Sequence, residues 1–170
     1  MQVRIREATY SDIEGLVALY DSARAYFAAN GIDQWQVGGP DFDTAFGDVE
    51  DGICYVVVDD EGRLEATFVC DFSGEPAYDK LTGGEWLCEG EYATLHRVAV
   101  AEEFKGRGIG GEMISFIEQR CREYGVEAIR GDTHRDNLPM QRMLEKNGFV
   151  LRGKVTYTVA GERLAYEKIL

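Results

Sequence analysis

The chain has little positive charge, few cysteines, few prolines and no long apolar run, and each shortage excludes something. Lys and Arg total 18 against 31 Asp and Glu, a net charge of -13 with an isoelectric point near 4.6. Neutralising phosphate needs a basic surface, so no nucleic-acid partner is expected. The four cysteines, Cys54, Cys70, Cys88 and Cys121, form no CxxC pair and have no His at ligand spacing. That excludes a zinc ribbon, leaves no metal expected, and points to reduced, mostly buried thiols in a cytoplasmic protein. The densest apolar run, Tyr55-Val56-Val57-Val58, is far short of the roughly 20 residues that cross a membrane. The opening MQVRIREATYSD lacks the apolar stretch and small-residue cleavage site of a secretory signal. No Pro- or Ser-rich linker, low-complexity tract or internal repeat divides the chain. What is present suffices to fold: 170 residues, 45% hydrophobic and 11% aromatic, are the size of one domain with a real core rather than a disordered segment.

The charge is unevenly placed. Between Asp41 and Glu103 there are 17 acidic residues against Arg63, Lys80 and Arg97, whereas Phe104 to Leu170 carries 12 basic and 9 acidic residues. An acidic middle suits a cationic ligand and a mildly basic last third suits an anionic one, although charge on solvated loops accounts for the same pattern.

Hydrophobic spacing orders the elements. Residues 2 to 8 alternate as a first strand. Ser11, with Glu14 three residues on, predicts a capping box opening a helix that runs to Ala29 and stops at Asn30-Gly31. Gly38-Gly39-Pro40 marks a loop before a weaker helix near 43 to 50. Residues 53 to 58 and 63 to 71 predict an antiparallel hairpin around Asp59-Asp60-Glu61-Gly62, and 73 to 90 an irregular excursion. Strand 92 to 100 precedes a helix over 109 to 124, whose apolar stripe is Ile109, Met113, Ile114, Phe116, Ile117, Cys121 and Tyr124. A strand over 126 to 132, a helix over 138 to 146 capped by Asn147-Gly148, and a hairpin of 149 to 157 with 163 to 169 complete the order. The fold class is α/β (α+β): a mixed, mostly antiparallel sheet of about seven strands flanked by helices, with one βαβ crossover.

The most informative segment is Lys105-Gly106-Arg107-Gly108-Ile109-Gly110-Gly111, which opens a helix directly after a strand. Glycines let the backbone turn tightly and approach a ligand, and the free amides of a helix start attract phosphate. A Walker A loop is excluded, because no Gly-Lys-Ser/Thr is present. The dinucleotide pattern GxGxxG is met by Gly106, Gly108 and Gly111, with Asp132 some twenty residues on. Five residues, Ala101 to Lys105, separate the strand from that first glycine, and the chain offers one βαβ unit, so a Rossmann fold is rejected.

A strand, two acidic loop residues and then a basic, glycine-rich helix start resemble the acetyl-CoA loop of the GNAT superfamily of N-acetyltransferases. Asp132-Thr133-His134-Arg135-Asp136-Asn137, then Met140 and Lys146-Asn147-Gly148-Phe149, are similar to that superfamily's second motif. The likeness spans the chain, from the helix before Asp33-Gln34-Trp35, through Leu95-His96-Arg97-Val98-Ala99-Val100, to the last hairpin. It implies a single N-acetyltransferase domain over 1 to 170, with an acceptor-side half of about 1 to 90 and an acetyl-CoA half of about 91 to 170. It also implies that the amides of Lys105, Gly106, Arg107, Gly108, Ile109, Gly110 and Gly111 hold a pyrophosphate. Val98, Ala99 and Val100 would pair with the pantetheine arm, and Asn137 would contact it. Two positions depart from the family: Lys105 stands where Gln or Arg is usual, and Leu144 where a Tyr often protonates the leaving thiolate.

The amine nucleophile must lose a proton. His96, on the strand assigned to the thioester, is the candidate base; period-two alternation puts it on the same face as Val98 and Val100. Packing in the core is its other role. His134 could bind substrate or brace Asn137. Trp35 and Trp86, in irregular segments, could wall a pocket for a cation or pin loops to the core, and Glu85, Glu89 and Glu91 could draw an amine or simply be solvated. Acetyl transfer from acetyl-CoA to a small-molecule or peptide amine is the leading reading. A catalytically decayed acyl-CoA-binding module, suggested by Leu144, is second, and a dinucleotide-dependent oxidoreductase third. Monomer and homodimer both stay open.

Overall fold

A computed structural model describes residues 3–170. Its elements are β1 (Arg4–Glu7), α1 (Ile13–Ala29), α2 (Phe42–Glu50), β2 (Cys54–Val58), β3 (Leu64–Asp71), β4 (Ala93–Val100), α3 (Ile109–Tyr124), β5 (Ala128–Thr133), α4 (Leu138–Lys146), β6 (Val150–Tyr157) and β7 (Gly161–Ile169). The strands form one seven-stranded sheet in the order β1-β2-β3-β4-β5-β7-β6, in which only β4 and β5 run parallel. One parallel pair is what a single crossover gives, and repeated dinucleotide-type βαβ units are absent among the described residues.

Each face of the sheet is covered because each helix has one apolar stripe. Ile109, Met113, Ile114, Ile117 and Cys121 of α3 pack with Leu144 of α4, Phe149, Phe68, Leu95 and Ile129. On the other face Ile13, Leu16, Leu19 and Tyr20 of α1 and Ala45 of α2 meet Cys54, Val56, Val58 and Ala99. Burying one such side chain contributes roughly 1.5–3 kcal/mol. Tyr124 ends the α3 stripe at 59% exposure, so it does not belong to the core expected of it.

Two local expectations change. Residue 2 of the first strand lies outside the described residues, and the strand itself is Arg4–Glu7. The cap predicted at Ser11 sits at Thr9 instead: Asp12 accepts the Thr9 amide at 2.7 Å and closes a capping box on a short 3-10 turn, Tyr10–Asp12, ahead of α1. Asp12 also pairs with Arg6 at 2.8 Å, which holds its carboxyl below the usual carboxylate range. An aspartate able to serve both partners outcompetes the Ser11–Glu14 box.

The feature that matters most for the site is a bulge in β4. Thr67 opposes Ala99 and Val69 opposes His96, so Arg97 and Val98 together face the single residue Phe68. Arg97 adopts φ +47, a conformation that costs about 1–3 kcal/mol for a non-glycine residue. Its guanidinium holds the position by a bidentate pair with Asp48 of α2, Nε to Oδ2 at 2.7 Å and Nη2 to Oδ1 at 2.8 Å, on a carboxylate only 6% exposed. The bulge breaks the alternation expected along the strand. Leu95, Val98 and Val100 pack beneath α3 and Ala99 beneath α1. His96 is therefore not on the face of Val98 and Val100; it turns toward Tyr78 and Glu75.

All four cysteines are free thiols, and three are buried. Burial pushes the Cys54 and Cys121 thiols up to about 11 and Cys70 to about 12. A thiolate is the reactive form, so the folded protein is expected to show one thiol, Cys88, reactive with a chromogenic disulfide at pH 8, rising to four in denaturant. Two or more fast-reacting thiols in the native state would contradict this packing.

Candidate active site

Strands β4 and β5 pair only through Ala93, Thr94 and Leu95 against Ile129, Arg130 and Gly131. Beyond that point β4 stays on β3 and β5 stays on β7, and the sheet splits. A cavity of about 380 Å³ occupies the split, lined among others by Trp35, Glu75, His96, Val98, Asp132, Asn137, Met140, Tyr157 and Arg163. The freed edge of β4 has backbone donors and acceptors without a strand partner, which is the arrangement that accepts an added extended chain.

The glycine loop lies at the start of α3. Gly106 and Gly108 have φ of +76 and +78, and Gly108 is the residue that precedes the helix. Only glycine adopts this backbone without strain, and the first amides of α3 have no intrahelical partner. Ile109 itself is buried, so it offers its amide and not its side chain. A Cβ on Gly110 would come within 2.6 Å of Met143 Cγ; this glycine serves the approach of α4. Lys105 pairs with Glu102 at 2.7 Å and lies over the Tyr26 ring at 3.9 Å, while Arg107 stacks at 5.3 Å on Phe104. Both cations are thus tethered beside the loop.

Asn137 caps α4 by accepting the Met140 amide at 3.3 Å. Its Nδ2 donates at 3.0 Å to Gln34 Oε1, which also accepts from Thr133 Oγ1 and the His134 amide at 3.3 Å each. Gln34 thereby ties the loop after α1 to the start of α4. It was legible only as a neighbour of Trp35. His134 accepts the Asp136 amide on Nδ1 at 3.0 Å and does not line the cavity; burial, with Arg163 nearby, moves its pKa below the usual imidazole value.

The two tryptophans part company. Trp35, at φ +61, lines the cavity and packs edge-on against Tyr20 and Phe27 at 5.7 and 5.6 Å, with Arg24 Nε donating to its carbonyl at 3.0 Å. Trp86 lies outside the cavity, where its Nε1 donates to the Tyr78 carbonyl at 2.8 Å. The Arg130 guanidinium is sandwiched between Trp86 and Tyr92 at 4.2 and 4.0 Å and pairs with the fully buried Glu167 at 3.1 Å. Glu85, Glu89 and Glu91 do not line the cavity.

Four polar residues complete the site, and of these the sequence pointed only to Asp132, as part of the second motif. Glu75 Oε2 stands 3.4 Å from His96 Nε2, while its Oε1 accepts the Ala77 amide at 3.1 Å. Asp132 Oδ2 accepts both the Tyr78 and Tyr157 hydroxyls, at 2.7 and 2.6 Å. Burial, with the adjacent Asp132 charge second, raises both phenols above their usual value. Glu75 and Tyr78 belong to the excursion 73–90, Asp132 to β5 and Tyr157 to β6, and only the folded sheet brings them together.

Residues 16–149 match the model of the acetyltransferase (GNAT) family, and the chain belongs to that family. It is accordingly an acyltransferase. A GNAT-family acetyltransferase structure from Streptococcus agalactiae is 33% identical, superposing with TM-score 0.87 over 99% of this chain and 95% of that one. YesJ, an uncharacterized N-acetyltransferase of Bacillus subtilis, is 25% identical over 86% of this chain and 81% of its own length. A GNAT-superfamily phosphinothricin acetyltransferase from Sinorhizobium meliloti, solved in complex with AcCoA, shares the fold at TM-score 0.71 and 15% identity, covering 100% of this chain and 89% of that one.

The His96 contact, the largest influence on it, holds the Glu75 carboxyl below the usual carboxylate range. A depressed carboxyl stabilises the fold above its unfolded pKa and loses that contribution as pH falls through the folded value. Wild type and Glu75→Gln are therefore expected to differ in urea midpoint at pH 7 and to converge below about pH 4. A constant difference across that range would contradict the pairing.

Proposed function

We propose that this chain moves the acetyl group of acetyl-CoA to a primary amine by direct attack within a ternary complex, with His96 as general base. The observation that carries the reading is the split between β4 and β5, which puts an unpaired strand edge beside a glycine-opened helix start and a histidine–carboxylate pair.

The amides from Lys105 to Gly111 suit a pyrophosphate, because the helix start is electropositive and its donors are free. The edge of β4 at Val98, Ala99 and Val100 suits the amide-bearing pantetheine arm as a pseudo-strand. Asn137, held by Gln34 and by its cap, borders the same opening. Trp35 walls the acceptor side. Trp86 braces the excursion and His134 the turn before α4, so neither is assigned to substrate.

The acceptor amine gives a proton to His96, directly or through water, and Glu75 favours the imidazolium that results. The freed lone pair attacks the thioester carbon. A backbone amide of the opened β4 edge stabilises the oxyanion; the nitrogen, cationic once bonded to carbon, loses its second proton to solvent, and collapse breaks the C–S bond, with the electron pair leaving on sulfur. Leu144 is fully buried in the core, so no hydroxyl acts from that position; a thiol departs near neutral pH with little help, and the thiolate takes its proton from solvent. The His96–Glu75 contact favours an active enzyme over a decayed binding module. No helix among the described residues is long and apolar enough to cross a membrane, and we take the protein to act in the cytoplasm.

His96→Gln is expected to lower kcat/KM by about 10²–10⁴-fold, the span of general-base catalysis, with the acetyl-CoA Kd from calorimetry unchanged. Gly108→Val is expected to do the reverse in kind: it strains the left-handed position by about 1–2 kcal/mol and raises the acetyl-CoA Kd at least tenfold. Full activity in His96→Gln would remove His96 from the mechanism, and unaltered acetyl-CoA binding in Gly108→Val would remove the loop.

A further inference from the structure

Among the described residues, Arg163 is the one cavity-lining arginine without a carboxylate partner. It stands on β7, is 6% exposed and borders the opening. Its Nη1 donates to the Glu162 carbonyl at 2.9 Å, and no carboxylate among the described residues comes within 4.0 Å of its guanidinium. Arg97, Arg130 and Arg152, also largely shielded, are by contrast paired, the first with Asp48 and the other two with Glu167. Asp132 and Asp33 act on Arg163 through space without touching it, and burial outweighs them, so its pKa falls below the usual guanidinium value. A guanidinium has five donors, and a buried cation left unpaired is destabilising unless something else pairs it.

The same cavity holds the complementary charge. Asp132 receives two phenol hydroxyls on Oδ2, and its Oδ1 accepts no hydrogen bond among the described residues. Glu75 faces the opening from the other side, next to His96. An unpartnered cation and two carboxylates in one cavity complement a molecule that carries both an anion and an ammonium.

We propose that Arg163 receives the carboxylate of the acceptor, so that the amine acetylated here is that of an amino acid. The proposal rests on the acetyltransferase reading and names its acceptor class. Guanidinium matches a carboxylate in a bidentate fork, Asp132 and Glu75 draw the ammonium, and His96 takes its proton. A polyamine would put a positive charge against Arg163, and a peptide N-terminus would offer it a neutral amide.

The test measures thiol release from acetyl-CoA with each protein amino acid, its amide and its decarboxylated amine, alongside calorimetric acetyl-CoA binding. In the wild type the best amino acid is expected to exceed its amide and amine by about 10–100-fold in kcat/KM, the worth of a charged hydrogen bond. Arg163→Met is expected to cut that ratio to within about threefold, chiefly through KM, with acetyl-CoA affinity unchanged. Its melting temperature should not fall, because the variant removes an unpaired buried charge; a merely structural arginine would destabilise on removal. Arg163→Lys keeps the charge without the fork and should retain part of the preference. The proposal is overturned if amides or amines are acetylated as well as amino acids, if the preference survives Arg163→Met, or if no amino acid is acetylated. Thiol release with other amines would leave the acetyltransferase reading intact in those cases. Absence of both acetyl-CoA binding and amine-dependent release would instead sink that reading, and this one with it.

Discussion

The ion pair between Arg97 and Asp48 is the constraint on which the site depends. A residue at φ +47 in the middle of a strand is unfavourable, and a bidentate contact at 2.7 and 2.8 Å with a nearly buried carboxylate offsets it. The bulge so held lets β4 remain on β3 while leaving β5 after Leu95. It also returns Val98 to the α3 side, where Leu95 packs, so that His96, which faces Glu75, no longer shares a face with Val98.

Around that split the structure keeps its polar groups satisfied by reaching far along the chain. Gln34 gathers Thr133, His134 and Asn137, and Asp132 gathers Tyr78 and Tyr157. Buried networks of this kind rigidify when every member is paired. Arg163 lines the cavity with no carboxylate in contact among the described residues, and a shielded cation in a cavity is where a ligand is expected to supply the missing partner.

Elements with strong local signals were legible in the sequence. The apolar stripe marks residues 109–124, the Asn147-Gly148 cap closes 138–146, and the glycine loop announces itself by its density. The cap at Thr9 was misplaced because Ser11 and Glu14 form an equally good local motif, and only the Arg6 contact with Asp12 decides between them. The bulge was illegible because His96-Arg97-Val98-Ala99-Val100 reads as an unbroken strand; the cause, Asp48, lies 49 residues away. Glu75 and Tyr157 carried no signal, one in an irregular excursion and the other on an ordinary hairpin. The tryptophans looked alike in sequence, and only the sheet's geometry separates Trp35 at the cavity from Trp86 on Arg130.

Direct transfer in a ternary complex is the central claim, and initial-rate kinetics test it most directly. CoA thiol release is followed while acetyl-CoA and an amine acceptor are both varied, with the thiol background of the protein subtracted. Intersecting double-reciprocal lines are the expected result, because the three thiols raised to about 11 or 12 are buried and the fourth, Cys88, does not line the cavity, so none offers a nucleophile for an acyl-enzyme there. Parallel lines, or acetyl-CoA binding with no amine-dependent release, would contradict it.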